Sequence, residues 1–297
     1  MRIVIAGGTG FLGRALSTQL QARGDDVRVL TRRPTAANHI AWNPAEPRAT
    51  WTNELGRADA VVNLAGEPID KGRWTEERKA VLVDSRVTST RSIVSVLKER
   101  ENGAVLLNAS AVGYYGACGD EVITEMSLAG HGFLASLCRK WEAEASKASE
   151  RGRVVLLRTG LVLDARAGAL ARLLLPFKLG LGGPMGDGRQ FWPWIHRDDW
   201  VRLVMFAIDD ARFRGPTNLS APEPVTNAVF AQTLGRVLHR PAIMPAPRFA
   251  LSFVLGEMAE AMVLSGQRAI PARAQSTGFT FAHPDLEAAL KDLLTRA

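Results

Sequence analysis

Short apolar runs and helical stripes alternate along the first half of the chain. Ile3-Val4-Ile5-Ala6 is a mostly β-branched run with no polar alternation, the pattern of a strand buried on both faces. Phe11, Leu12, Ala15, Leu16 and Leu20 then recur at helical spacing, and Gly24 stands where a helix-ending glycine belongs. The same signals predict strands over 27–31, 58–64, 105–109 and 154–157, and helices over 75–98 and 133–149. Apolar strands alternating with helices imply a parallel sheet covered on both sides by right-handed crossovers, a doubly wound α/β fold.

Beyond Gly160 the pattern changes. Residues 179–188 hold five glycines and a proline, too many for a helix or strand, and Trp192 and Trp194 follow. This predicts loop insertions over about 161–200 near the carboxyl edge of the sheet, where a substrate would bind. Pro241, Pro245 and Pro247 then lead into an expected helix over 249–264 with Gly256 inside it. Asp285 is placed to cap a last helix on which Leu286, Leu290, Leu293 and Leu294 share a face. The expected organisation is a nucleotide-binding domain over 1–240 and a small, mostly helical C-terminal domain over 241–297.

Composition narrows the classes. Of the 297 residues 46% are hydrophobic and 23% charged, which excludes a disordered chain. Cys118 and Cys138 are too few for a disulfide scaffold and lack C-x-x-C spacing, so a reducing, cytoplasmic location and no metal site are expected. No apolar run reaches membrane-spanning length, and the N-terminus enters a strand without a secretory segment. The net charge of +7 fits either nucleic acid or small anions. Residues 246–297 balance five Lys and Arg against five Asp and Glu, and no helix interleaves cations with aromatics, so a nucleic-acid partner is not expected.

The small-anion reading gains an address in Gly7-Gly8-Thr9-Gly10-Phe11-Leu12-Gly13, set between a strand and a helix. Gly7 permits the tight turn, Gly10 lets backbone approach a pyrophosphate, and Gly13 allows close packing of helix on strand. The helix N-terminus then holds the phosphates. With this loop the predicted fold becomes Rossmann-type. The second strand ends Leu30-Thr31-Arg32-Arg33, without the carboxylate that would bind a ribose 2′-hydroxyl of NAD. Two guanidinium groups suit a 2′-phosphate instead. At about 1.5–3 kcal/mol per charge-assisted hydrogen bond, they would favour NADP(H) over NAD by roughly one to three orders of magnitude. Asn63-Leu64-Ala65-Gly66 ends the next strand, where a turn of small residues can lie along the cofactor.

Together with Ser110-Ala111-Val112-Gly113-Tyr114-Tyr115-Gly116, Cys138-Arg139-Lys140-Trp141-Glu142, Arg158-Thr159-Gly160, Gly186-Asp187-Gly188-Arg189-Gln190 and Trp194-Ile195-His196-Arg197-Asp198, these motifs resemble the extended short-chain dehydrogenase/reductases. Within them the chain is most similar to an atypical branch of the NAD-dependent epimerase/dehydratase family, the nucleoside-diphosphate-sugar epimerase-like oxidoreductases. These end in a C-terminal domain of unknown function, and residues 245–294 resemble it. The resemblance covers essentially the whole chain and implies a Rossmann fold, a nicotinamide cofactor and hydride chemistry, with Arg158 beside the cofactor.

The departures are informative. The superfamily uses Tyr-x-x-x-Lys, followed four residues later by a glutamate, to exchange a proton with substrate. Aligning that glutamate with Glu142 puts Leu134 and Cys138 at the tyrosine and lysine positions; aligning it with Glu144 puts Ser136 and Lys140 there. Neither register supplies the tyrosine, and the chain's two tyrosines are Tyr114 and Tyr115. Ser110 and Ala111 compete for the place of the serine or threonine that orients substrate oxygen. Trp192 stands where nucleotide-sugar enzymes carry a diphosphate-binding arginine, so a smaller, apolar or aromatic substrate packed on Trp192 and Trp194 is expected.

The candidate catalytic residues are therefore Ser110, Tyr114 and Tyr115. Glu125 and Cys138 are weaker candidates for proton transfer. The two acids after His196 point to an ion-pair or capping role for it. Trp141 is expected in the core. The first expectation is an NADP(H)-dependent oxidoreductase acting on a small molecule. A nucleotide-sugar epimerase and a non-catalytic NADP(H)-binding sensor or scaffold stand beside it. The tail's helices can cover the substrate cleft or form a homodimer contact, and both alternatives stand.

Overall fold

The computed structural model describes residues 1–46, 50–101 and 103–296. Seven strands, β1 (Arg2–Ala6), β2 (Asp26–Thr31), β3 (His39–Ala41), β4 (Ala60–Asn63), β5 (Val105–Ala111), β6 (Val154–Thr159) and β7 (Gly215–Leu219), form one sheet in the order β7-β6-β5-β4-β1-β2-β3. Every neighbouring pair is parallel. The helices that cover it are α1 (Phe11–Ala22), α2 (Thr50–Gly56), α3 (Glu76–Leu97), α4 (Phe133–Ser146) and α6 (Arg197–Asp209), while α5 (Gly168–Lys178) and α7 (Asn227–Leu238) pack elsewhere. The chain first winds outward from β1 to β3 and then returns to β4 on the other side of β1. That reversal opens a crevice at the carboxyl ends of β1 and β4.

Alternate strand residues serve opposite faces. Ile3, Ile5, Val29, Val62 and Leu107 pack with Leu16 and Leu20 of α1 and with Trp200 and Val204 of α6. Val4, Ala6, Leu30, Val61 and Leu106 meet Leu55 of α2, Ile93 and Leu97 of α3 and Ala145 of α4. Both faces are dry, which is why the strands read as unbroken apolar runs. Each such side chain stabilises the fold by about 1.5–3 kcal/mol.

A third core lies beyond β6. Leu170, Leu174 and Phe177 of α5, Phe230 and Leu234 of α7, and Leu286, Leu290 and Leu293 of the terminal helix (Leu286–Thr295) surround Trp192 and Trp194. Trp192 is 8% and Trp194 0% exposed, so neither indole offers the substrate platform expected from sequence; both are packing residues. Asp285 caps the terminal helix as expected, accepting the Ala288 N–H at 2.8 Å. The helix expected over 249–264 is broken. α8 (Arg248–Leu255) stops at Gly256, whose φ of +61° leaves the helical region, and a short turn and a wide π-type turn follow.

Two strands run further than their apolar runs. β5 continues to Ala111 and β6 to Thr159, placing Ser110 and Arg158 as cross-strand partners. Helix α3 starts at a capping Thr75, whose hydroxyl accepts the Arg78 N–H at 3.2 Å. It buries Ser89 and Thr90 as well as apolar residues. Among the described residues no helix is long and apolar enough to cross a membrane.

Candidate active site

Helix α1 follows β1 after a glycine turn and opens on the crevice. Its N-cap residue is Gly10, and neither a capping side chain nor an acid in the first turn balances the positive end of the helix. By contrast α3 and α6 carry a capping side chain and two acids each. A Cβ on Gly7, which has φ +77°, would come within 2.8 Å of the Leu64 carbonyl, and one on Gly13 would stand 2.4 Å from the Gly7 oxygen. The turn and the close helix packing therefore require these two glycines. Thr9 and Gly10 are exposed, and Phe11 and Leu12 are half-buried. Arg14, which sequence reasoning did not single out, folds back so that its Nη1 donates to the Thr9 carbonyl at 2.7 Å. An open helix end, exposed backbone and a nearby guanidinium fit a pyrophosphate.

Arg32 and Arg33 leave the end of β2 and are both exposed. Arg32 lies 3.6 Å from Glu67 with its side chain 79% exposed, an ion pair too solvated to hold it strongly. Across the crevice Asn63 is fully buried and in register with Asn108 of β5. Its Nδ2 donates to Asn108 Oδ1 at 2.7 Å and to Thr90 Oγ1 at 2.9 Å, while its Oδ1 accepts the Ala65 N–H at 3.2 Å. Asn63 thus shapes the turn Leu64-Ala65-Gly66 from below. Trp141 is buried and donates its indole N–H to the same Thr90 hydroxyl at 2.9 Å.

The carboxyl ends of β5 and β6 carry a buried polar network. Arg158 is 3% exposed, and its Nε and Nη2 donate to the two oxygens of Glu142 at 2.9 and 2.8 Å. Its Nη1 donates to the Tyr115 hydroxyl at 2.9 Å, and its guanidinium lies 3.4 Å over the centre of the Tyr114 ring. Burial alone would lower the pKa of Arg158, but the hydrogen bonds and charge of Glu142 outweigh it and the pKa is raised. Ser110 donates to Glu142 at 2.6 Å. Tyr115 is 2% exposed and donates to Asn218 Oδ1 at 2.7 Å. Burial, partly offset by Arg158, pushes its hydroxyl up to about 12, so it keeps its proton at neutral pH.

Tyr114 is different. It is half-buried, and its hydroxyl has no hydrogen-bond partner among the described residues. Trp74, Leu137, Cys138, Met258, Phe133 and Leu134 cluster with it. The structure thus brings Ser110, Tyr114, Tyr115 and Arg158 together, but three of the four are committed to one another through Glu142 and Asn218. Arg158 in particular supports the tyrosines from behind, because its donors are directed at Glu142 and Tyr115.

The other candidates resolve plainly. Glu125 is neither solvated nor a free acid. It is 6% exposed, and its Oε1 accepts the N–H groups of Asn218 and Arg273 at 3.0 and 3.1 Å. Arg189 is exposed and forms no ion pair among the described residues. His196, His283 and Asp292 bring potential ligand atoms within 4.8 Å of one another. However, His196 Nδ1 accepts the Asp198 N–H at 3.0 Å, so the ring hydrogen sits on Nε2, 3.2 Å from Asp292. A ring protonated there has no lone pair for a metal, and His196 acts as the cap of α6.

Comparison with known proteins agrees with this architecture. The model of the NAD dependent epimerase/dehydratase family matches residues 3–219. The chain belongs to this family. A domain of unknown function, DUF1731, matches residues 246–293. An epimerase family protein of Mycobacterium leprae is 42% identical over 99% of this chain and 96% of its own length. The crystal structure of human epimerase family protein SDR39U1, solved with NADPH, superposes with a TM-score of 0.91 at 36% identity, covering 100% of both chains. A nucleoside-diphosphate sugar epimerase from Corynebacterium glutamicum superposes at 0.81 with 34% identity, covering 99% of this chain and 58% of that one.

For a member of the epimerase/dehydratase family the face of α4 is unusual. Leu134 packs on Gly113, whose added Cβ would meet it at 3.2 Å, and the Cys138 thiol lies 3.8 Å from the Ala111 carbonyl. Leu134 and Cys138 thus face the end of β5, whereas Lys140 is exposed. Cys138 is buried, and burial pushes its thiol up to about 11. It is a neutral packing residue.

Proposed function

We propose that this chain is an NADP(H)-dependent oxidoreductase that transfers hydride between the nicotinamide and a small substrate, with Tyr114 as the proton donor. The observation that carries the cofactor reading is the pair Arg32 and Arg33, exposed at the end of β2 beside an anion-ready helix end. The human relative crystallised with NADPH supports it. The backbone of Gly7, Thr9, Gly10, Phe11, Leu12 and Gly13 holds the pyrophosphate, Arg32 and Arg33 take the 2′-phosphate, and Asn63, Leu64, Ala65 and Gly66 border the ribose. Bound there, the nicotinamide supplies or accepts a hydride.

Tyr114 then faces the substrate oxygen, held by the Arg158 guanidinium behind its ring. Ser110 and Tyr115 contribute by fixing Glu142, Arg158 and Asn218 rather than by giving up protons. The side chains around Tyr114 are apolar, which fits a substrate with an apolar body. α8 and the turns after it bring Leu255, Met258 and Ala261 against Trp74 and Phe133, supporting the tail as a cover of the cleft. We expect a panel of carbonyl compounds to reveal NADPH oxidation, and Tyr114→Phe to lower that rate by about 100- to 10,000-fold while leaving NADPH binding intact. Tight NADPH binding with no turnover on any carbonyl, enal or imine would favour the sensor instead. Thermal protection by a UDP- or dTDP-sugar would favour the epimerase.

A further inference from the structure

Arg86, near the middle of α3, is largely covered yet forms no ion pair among the described residues. Its Nη1 donates to the Leu82 carbonyl and its Nη2 to the Glu67 carbonyl, each at 3.0 Å. Its other N–H donors have no protein acceptor among the described residues. The guanidinium lies 5.2 Å from the centre of the Trp141 ring and against Gly66, where an added Cβ would meet its Cγ and Cζ at 3.1 Å. The Glu67 carboxylate is drawn elsewhere, lying 3.6 Å from Arg32 and 3.7 Å from Arg78. Burial lowers the pKa of Arg86, and the like charge of Arg78 adds to this. The charge of Glu67 offsets this only in part, and holding a covered cation with no carboxylate bonded to it is costly, so a ligand that accepts its hydrogen bonds would offset a real penalty.

Its place in the fold narrows that ligand. Gly66 closes the turn after β4, and Trp141, whose ring faces Arg86, lies one helical turn after Cys138, which faces the end of β5. Arg86 therefore sits between the carboxyl ends of β4 and β5, on the opposite side of β1 from Arg32 and Arg33. A dinucleotide with its pyrophosphate on α1 and its 2′-phosphate on Arg32 and Arg33 extends its other half to this side. We propose that Arg86 binds the nicotinamide-side ribose of that dinucleotide, its planar fork of donors holding the vicinal hydroxyls. The inference rests on the NADP(H) reading above. Arg86 supplies from α3 a cation that α4, with Cys138 facing the end of β5, does not.

The test compares two ligands by calorimetric titration of the full chain. NADPH carries the second ribose, whereas 2′,5′-ADP carries the adenosine and the 2′-phosphate without it. Arg86→Met should weaken NADPH by about 10- to 100-fold and leave 2′,5′-ADP unchanged, the unchanged ligand also reporting that the variant is folded. Arg86→Lys, which keeps the charge but not the fork, should weaken NADPH alone by a smaller factor and carries the test if the methionine variant does not fold. Unchanged NADPH binding, or an equal loss for both ligands, overturns the assignment. If the unmutated chain binds neither ligand, the cofactor reading itself falls and takes this inference with it.

Discussion

At the scale of single residues, the centre of the site is a buried ion pair with two tyrosines around it. Arg158 and Glu142 are both nearly inaccessible and joined by two hydrogen bonds. Removing one member leaves an uncompensated buried charge, which costs about 3–5 kcal/mol. Glu142→Gln should lower the unfolding free energy by that order, as read from urea denaturation, and should release Ser110 and Tyr114 from their fixed positions. A loss below about 1 kcal/mol, the range of solvated pairs, would show that the network is not closed as described. None of these partnerships is visible in the sequence. Tyr115 and Asn218 are separated by 103 positions and Arg158 and Glu142 by 16, and a strand that carries serine, asparagine or arginine among apolar residues signals a buried polar group without naming its partner.

At the scale of elements, the glycine loop and α1 act as one unit. Gly13→Ala would drive a methyl group into the Gly7 carbonyl. It should cost about 1–3 kcal/mol of stability and also abolish NADPH binding, because the displaced turn is the one proposed to hold the pyrophosphate. A variant that melts normally and binds normally would contradict that coupling. The strands were legible because both faces of the sheet are buried, which leaves apolar runs with no alternation. Their ends were less so: Ser110 in β5 and Arg158 in β6 interrupt the apolar run while the backbone pairing continues. The helix over 249–264 was misjudged for the opposite reason. Its apolar residues persist through Gly256, but the backbone there takes a positive φ. The two tryptophans were misplaced because an indole near a glycine-rich loop has the same sequence signature whether it faces a ligand or α7.

For the molecule as a whole, the C-terminal segment is tied to the sheet domain by the third core and by His196, which caps α6, stacks on the His283 ring at 3.8 Å and faces Asp292 of the terminal helix. Burial and the charge of His283 lower the His196 pKa below the ordinary 6.5, against the pull of Asp198, Asp292 and Asp199. The unfolded chain therefore binds more protons as pH falls through 6.5, and stability declines from there toward the folded pKa, with no contribution from this group at higher pH. His196→Asn, which retains a capping acceptor, should flatten that acid limb in denaturation curves; an unchanged limb would assign it to other groups. The positive balance of the whole chain has its most specific expression in two exposed arginines, and they carry the central claim. Its most direct test is the affinity of the purified protein for NADPH and NADH, side by side with the Arg32→Ala/Arg33→Ala variant. The account predicts that NADPH binds about 10- to 1,000-fold more tightly and that the double variant loses the preference while keeping its NADH affinity. Equal affinities in the unmutated protein would contradict it.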